Sequence, residues 1–461
     1  MAYVNTQPEV VTYSGNGSDL QAAITAAVTA GKSLYIAPGT YDVWNLGVGG
    51  PIRIFGTPGK VILRPSAGAL YALYVGAFTD VAIEGIVFDG AGRALSVDPG
   101  LPTRSMVAVK RGRAEASKIR FTNCTFRNSP HAGLQIYGVA AHVSNCRFES
   151  LVDGVWVRDA DGVHIVENHL AGIAGNAIYV ERENAGTNGV LTPAFDGTIV
   201  AGNRIETVTQ ADPSSTGWEG NGVLLLKTAG VHVTDNVIKG CALSAIRANM
   251  CTDTVVTGNG CHAIGETAIY LEAILGGVDN LAPGHGGLVS GNLVDDAATG
   301  VTLANFNFGG RLGVVQGNLL RNLTLKTVAA GTANQYTTGG VGVVVEGDVN
   351  VNGNVVEGAA SMGMILGTND YTDDLLCTDN LIRNAPIGIA FANTVPTGGR
   401  DAQIYIASNM VAHYTNDAAH GAIVPVTFTG SAYVRGTGAD LGQADTSTAY
   451  SYVRVDRNRC F

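Results

Sequence analysis

The chain is short of charge. Asp, Glu, Lys and Arg supply 14% of its 461 residues, against roughly 25% in an average soluble domain. It also lacks a basic excess, since 28 Lys and Arg face 38 Asp and Glu for a net charge of −10. Phosphate backbones are gripped by basic patches, so no nucleic-acid partner is expected. Long apolar runs are missing too. The longest, AGALYALYVGAF at 67–78, is broken by glycine and falls short of the ~18 residues a membrane helix needs. No membrane partner is expected either. Seven cysteines contain no CxxC pair, which removes zinc-ribbon and thioredoxin-like readings. Their odd number leaves at least one free thiol or a link between chains. The chain opens MAYVNTQ, without a basic-then-apolar leader. Either it is not exported or a signal has been removed.

Glycine is plentiful, at 62 of 461 residues, and 46% of the chain is hydrophobic. Helical bundles draw on Ala, Glu, Lys and Leu instead, and disordered chains cannot carry so much apolar surface. What remains is an acidic, Gly- and Val-rich β-protein.

Repeats fix the architecture. An apolar strand, a turn containing Asn and a second apolar pair recur as FTNCTF, HVSNCRF, HIVENHL, IVAGNRI, HVTDNVI and onward to VDRNRCF. The repeated residues are Asn123, Asn145, Asn168, Asn203, Asn236, Asn259, Asn292, Asn318, Asn354, Asn380, Asn409 and Asn458, with shortest spacings of 22 and 23. Asparagine tolerates the left-handed backbone of a tight corner, and its amide can bond the same amide one layer away. A structural role is expected for all of them. About nine residues after each Asn, a Gly or Ala opens an alternating strand, as in GLQIY, GVWVR, AIYVE, GVLLL, AIRAN and AIYLE. Coils of this length are too short for helical crossovers. They suit strands stacked about 4.8 Å apart in a solenoid. The expected fold is all-β, a single-stranded right-handed parallel β-helix. Cys124 and Cys146 recur in register, which predicts stacked buried thiols.

Solenoid ends need covering. Residues 18–31 (SDLQAAITAAVTAG) offer Ser18 as an N-cap and an apolar stripe at Leu20, Ile24 and Val28, predicting an N-terminal capping helix. The strand YIAPGTY follows. Helix and strand together resemble the entry of the pectate-lyase-like β-helix superfamily, and the repeats carry that resemblance along the chain. The organisation is also similar to repetitive β-helix proteins exported by the twin-arginine route. The resemblance implies periplasmic or extracellular residence. Residues 1–48 read as the cap, and 49–461 as the β-helix with groove loops and an irregular C-terminal cap.

Aligned on its opening Gly or Ala, the second motif shows two outward columns. One reads Gln135, Trp156, Tyr179, Leu224, Arg247 and Tyr270; the other Tyr137, Arg158, Glu181, Leu226, Asn249 and Glu272. Later coils are bland there, with Thr302, Val344, Ile365 and Ala390. Insertions near 182–197, 206–220 and 273–287 flank the patch, and a fourth lies at 322–340. Insertions in solenoids wall binding faces. Aromatic faces stack on sugar rings, while Arg, Asn, Gln and Glu bond hydroxyls or carboxylates. The patch is therefore expected to bind a polysaccharide or oligosaccharide in a groove. Gln135, Tyr137, Trp156, Tyr179, Arg182, Asn249 and Tyr270 would make the contacts. The same residues could instead form stabilising ladders: Trp156 on Tyr179, Arg158 with Glu181, Arg247 on Tyr270.

The resemblance implies two chemistries. In β-elimination, the first expectation, a cation quenches a uronate carboxylate while a base removes a ring proton. Arg158, Arg182, Lys227 and Arg247 are the cations, with Lys227, Arg247, Tyr179 or Tyr270 as base. Hydrolysis or intramolecular transglycosylation needs two carboxyl groups about 5–9.5 Å apart. Glu181 and Glu272 are three coils apart, roughly 14 Å by the stacking distance, so Glu183, Asp212 or Glu219 would have to supply a nearer partner. A non-catalytic glycan-binding or spike-like protein is the third expectation. GHGG at 284–287 reads as chance. No cofactor is expected. Calcium has no matching Asp cluster on adjacent coils, and Asp295, Asp296, Asp370, Asp373 and Asp374 read as scattered turn acids. Outward Val344, Ile365 and Ala390 need covering, either by a homo-oligomer or by the 322–340 and 393–402 insertions.

Overall fold

The computed structural model describes residues 9–76, 80–110, 118–183, 196–212, 218–272, 286–304, 312–328, 332, 335–368, 372–393, 403–429, 432–435, 440–443, 450 and 452–461. The chain is a right-handed parallel β-helix built as two compact units, residues 1–183 with 196–211, and 184–195 with 212–461. In each unit every coil contributes one strand to each of three parallel sheets.

The cap forms as α1, Leu20–Ala30, burying Leu20, Ile24 and Ala27. Two details differ from expectation. Asp19 rather than Ser18 takes the N-cap position, while Ser18 Oγ turns to Asn16; the Asp19 carboxylate accepts from the Tyr13 hydroxyl and makes no side-chain cap bond. Val28 is only half-buried; Ala27 takes its place in the stripe. Gly31 closes the helix at φ 65°, a left-handed end that suits glycine.

In the first unit, the first sheet runs from Val10–Tyr13 to Ile199–Ala201, and the second from Gly39–Val43 to Arg204–Val208. The third sheet runs from Leu46–Val48 to Ile178–Glu181. Inside, Phe88, Phe126 and Phe148 stack with centroids 5.1 and 4.7 Å apart. The phenylalanine closing NCTF and NCRF thus has a packing role.

The corner between the first and second sheets shows how asparagine works here. Asn168 Nδ2 donates to Asn203 Oδ1 in the first unit. In the second unit the same bond links Asn236, Asn259, Asn292, Asn318, Asn354, Asn380, Asn409 and Asn458 in turn, at 2.9–3.0 Å. These amides also bond carbonyls, so burying them leaves little polar potential unmet. The left-handed backbone, however, belongs to the preceding residue: Glu167, Asp235, Asp379 and Ser408 have φ of 55–57°. Asn123 and Asn145 occupy that left-handed site (φ 53° and 54°). Cys124 and Cys146 stand in the amide column beside them, and Cys146 N donates to Asn168 Oδ1. The two functions expected of each Asn are thus split between adjacent positions. Both thiols are buried and free, as the register predicted.

In the second unit, the third sheet runs from Val223–Leu226 through Ile246–Asn249, Thr267–Glu272, Thr299–Leu303 and Val341–Val345 to Gly421–Thr429. The 322–340 insertion forms an antiparallel hairpin, Leu325–Val328 with Tyr336–Gly339. Ile365 and Ala390 are buried with Val341, Met362, Ile387, Val424 and Val426. Ile365 and Ala390 are thus covered within the chain, while Val344 stays half-buried against them. Residues 394–402 of the other insertion lie outside the described residues.

Candidate functional site

Each unit turns part of the predicted patch outward on its third sheet. In the first unit Gln135, Trp156 and Tyr179 are register neighbours, as are Tyr137, Arg158 and Glu181. Trp156, Tyr179, Arg158 and Glu181 form a closed network. The Trp156 and Tyr179 rings lie 4.9 Å apart. Trp156 Nε1 and Tyr179 Oη each donate to Glu181, both at 2.8 Å. Burial, then the Glu181 charge, pushes the Tyr179 phenol far above its ordinary value, so it is no ready base. Arg158 pairs with Glu183, and its Nε lies 3.6 Å from Glu181. Tyr137 carries the Lys110 ammonium 5.6 Å above its ring.

Two expectations fail here. Gln135 is in the outward column yet fully buried, with both amide atoms unpartnered. Arg182 does not face a groove. It bonds Asp196 at 2.9 Å, Asp161, and the Ala160 carbonyl at 3.1 Å, which ties a loop down.

In the second unit the patch is concentrated around one guanidinium. Arg247 and Tyr270 are register neighbours, as are Asn249 and Glu272. Arg247 Nη1 donates to Glu266 at 3.1 Å, while Nε donates to Glu272 at 3.0 Å and Nη2 bonds the same carboxylate. The Arg247 carbon lies 4.8 Å over the Tyr270 ring. Burial opposes the Arg247 charge, but Glu266 and Glu272 outweigh it and hold the guanidinium above its usual value. Asn249 Nδ2 adds a bond to Glu272 at 3.2 Å. Glu266 also accepts from Ser244 Oγ at 3.3 Å and from Tyr336 Oη at 2.5 Å. Burial and then the Glu266 charge drive the Tyr336 phenol far up, and Tyr270 responds likewise to burial and Glu272.

These groups line a cavity of about 390 Å³ with Thr267, Thr299, Thr302, Thr338 and Val344. Two carboxylates on one guanidinium sit within roughly 8 Å of each other by ordinary hydrogen-bond and arginine dimensions. Glu272 thus finds a partner in Glu266, not among the acids considered from the sequence. Glu183 is taken by Arg158, and Glu219 accepts from the Asp212 amide at 2.8 Å. Lys227 is not drawn in: it stands at a left-handed corner (φ 57°), one residue beyond Val223–Leu226. Leu224 and Leu226 are buried. The proposed groove walls at 184–195, 213–217 and 273–285, with His285 of GHGG, lie outside the described residues.

Glu266 and Tyr336 are the residues the repeat alignment missed. Glu266 precedes its strand, Thr267–Glu272. The register sets Thr267, not Glu266, in line with Asn221 and Ser244, so the polar position before the opening Gly or Ala gave no signal for it. One acid set also escaped: Asp348, Asp373 and Asp374 bring carboxylate oxygens within 4.8 Å of one another, a grouping that could hold a cation. Asp295 instead bonds Arg321 and Asn322 at 3.0 and 2.7 Å.

Residues 113–305 match the family described as Right handed beta helix region, a stretch that contains the repeats from Asn123 to Asn292. No curated protein matches the sequence. Among solved structures, the chain is similar to a PL6 alginate lyase in complex with trisaccharide, at 12% identity over 98% of this chain and 96% of that one, TM-score 0.49. It is also similar to the catalytic domain of a GH87 alpha-1,3-glucanase in complex with nigerose, at 13% identity over 98% and 69%, TM-score 0.46. An alginate lyase from Paenibacillus sp. str. FPU-7 is 10% identical over 88% of this chain and 99% of its own, TM-score 0.30.

Proposed function

We propose that the protein is a carbohydrate-active enzyme that hydrolyses glycosidic bonds in a neutral glycan at the Arg247 cavity. The observation that carries this reading is the pair Glu266 and Glu272, both bonded to Arg247 at the wall of one cavity. Glycoside hydrolysis needs two carboxyl groups within about 5–9.5 Å. Three donors hold Glu266, from Arg247, Ser244 and Tyr336. Glu272 in turn takes bonds from Arg247 and Asn249. The two serve as the carboxyl pair, one giving the proton to the leaving oxygen and the other acting as base or nucleophile; Glu272 is the more open, with a side chain 20% exposed. Tyr270 and the threonine hydroxyls bind the ring.

Charge argues against the elimination first expected from the resemblance. A uronate needs an uncommitted cation, whereas Arg247 already bridges two carboxylates. The Glu346 charge acts on Tyr270 as well, so the surroundings repel an acidic polymer. Residence outside the cytoplasm fits a polymer substrate and belongs to the same proposal.

Incubation with panels of neutral and uronate polysaccharides tests it. New reducing ends on a neutral glycan, lost in Glu272→Gln, are expected. Unsaturated uronate ends, or binding with no product on any glycan, would overturn it.

A further inference from the structure

The first unit carries a segment that the repeats do not explain. Residues 93–101 leave the coil between Ile86–Asp89 and Ser105–Lys110 and are held at four points, one of them the bond from Lys110 Nζ to the Gly100 carbonyl. Arg93 Nη1 bonds Asp42 and the Pro65 carbonyl, both at 2.9 Å. Ser96 bonds the Ala69 and Gly68 carbonyls at 2.9 and 2.8 Å. Between them the Leu95 amide donates to His131 Nε2 at 3.0 Å, and the Leu95 side chain is buried.

That middle bond has a strict chemical condition. An amide N–H only donates, so Nε2 must present a bare lone pair, and a protonated imidazole has none. Beside it, buried polar atoms lack partners. Ser129 Oγ and the Gln135 amide flank His131 in sequence, and Ser105 Oγ stands on the strand paired with Ala132. Buried groups of this kind cost free energy unless water or a ligand reaches them.

We propose that residues 93–101 form a strap that neutral His131 holds shut and that protonation of His131 releases. Burial, then the Arg104 charge, lowers the His131 value below its ordinary 6.5. The other charges nearby are committed. Asp89 pairs with Arg127 at 2.9 Å, Asp153 accepts from the Asn176 amide at 2.9 Å, and Asp98 accepts from the Gly100 amide at 2.8 Å. The closed state binds fewer protons than the open one. Closure is therefore complete above about pH 6.5 and weakens as pH falls through the ring's lowered value. The device is independent of the Arg247 cavity and of any cleavage there.

Hydrogen exchange of the full chain, corrected for the intrinsic pH dependence of exchange, tests this between pH 8 and pH 5. Protection of the peptide covering 93–101 should fall by up to about tenfold per pH unit below the transition, while the strand Ile119–Thr122 stays protected. His131→Gln, whose side-chain oxygen accepts at any pH, should keep the strap protected throughout. Arg104→Gln, which lets the closed-state value return towards 6.5, should shrink the pH-dependent loss of protection. Wild-type protection that stays flat, or an equal fall in His131→Gln, would overturn the proposal, and Arg104→Gln decides it should His131→Gln fail to fold.

Discussion

The Tyr336 hydroxyl lies 2.5 Å from Glu266 Oε1, across 70 residues of chain. The hairpin Leu325–Val328 with Tyr336–Gly339 thereby completes a site whose other members lie on strands of the coil. Tyr336→Phe removes one donor to a charged carboxylate without changing shape. Its ring is about two-fifths exposed, so the stability loss should be near 1 kcal/mol, at the low end for such bonds. Thermal unfolding of the two proteins checks this, and a loss above about 3 kcal/mol would mean that the hairpin does more than supply a donor.

Arg247 is more demanding. It is 9% exposed and neutralises two carboxylates. Arg247→Gln strands those charges, and breaking a buried ion pair by removing one partner costs about 3–5 kcal/mol. Denaturant titration should give a loss in that range, whereas Glu272→Gln, which leaves Glu266 on the guanidinium, should lose less than Arg247→Gln does and lose turnover by about 10²–10⁴-fold.

The amide column predicts a sharp contrast within one coil. Asn292 donates to Asn318 and to the Val256 carbonyl, and accepts from Asn259. Asn292→Ala leaves each of these partners unmatched, at about 1–3 kcal/mol apiece. Asn350, outward on its sheet, should tolerate alanine within about 0.5 kcal/mol. Equal effects at the two positions would contradict the ladder.

Much of this was legible because a solenoid repeats its physics. Period-two alternation put Arg247, Tyr270, Asn249 and Glu272 in adjacent columns, and the strand pairing places them there. Alternation says nothing of corners, so Glu266 was missed, and nothing of an insertion's return path, so Tyr336 was too. Gln135 reads as outward by the same rule and is outward by register, and its burial could not be inferred. At Asn123 and Asn145 the repeated letter was right, but two adjacent corner positions accept asparagine for different reasons.

Glu206 gives a pH test on a different face. Hydrogen bonds from Arg204 and His169 hold its carboxyl down at about 2, from an ordinary 4.5. A depressed value stabilises the fold above pH 4.5, and the benefit is lost as pH falls from there through 2. The difference in melting temperature between wild type and Glu206→Gln should shrink between pH 6 and pH 3, and added salt should reduce it because the pair is at the surface. A difference independent of pH would contradict the assignment.

The cysteines should be inert in the folded chain. Burial raises Cys146 and Cys241, and pushes Cys261 and Cys377 to about 12, while the half-buried Cys460 lies at about 11. Thiolates react and thiols do not. A thiol reagent at pH 8 should therefore label Cys460 first and slowly, and all seven cysteines only after unfolding.

The most direct measurement is digestion of a neutral glycan substrate in water enriched in oxygen-18, followed by mass spectrometry of the fragments. Carboxylate-assisted hydrolysis at Glu266 and Glu272 puts one heavy oxygen per cleavage into the fragment that carries the new reducing end, while the leaving fragment keeps the original glycosidic oxygen. A new end that carries no heavy oxygen, because the bond broke without taking up water, would contradict it.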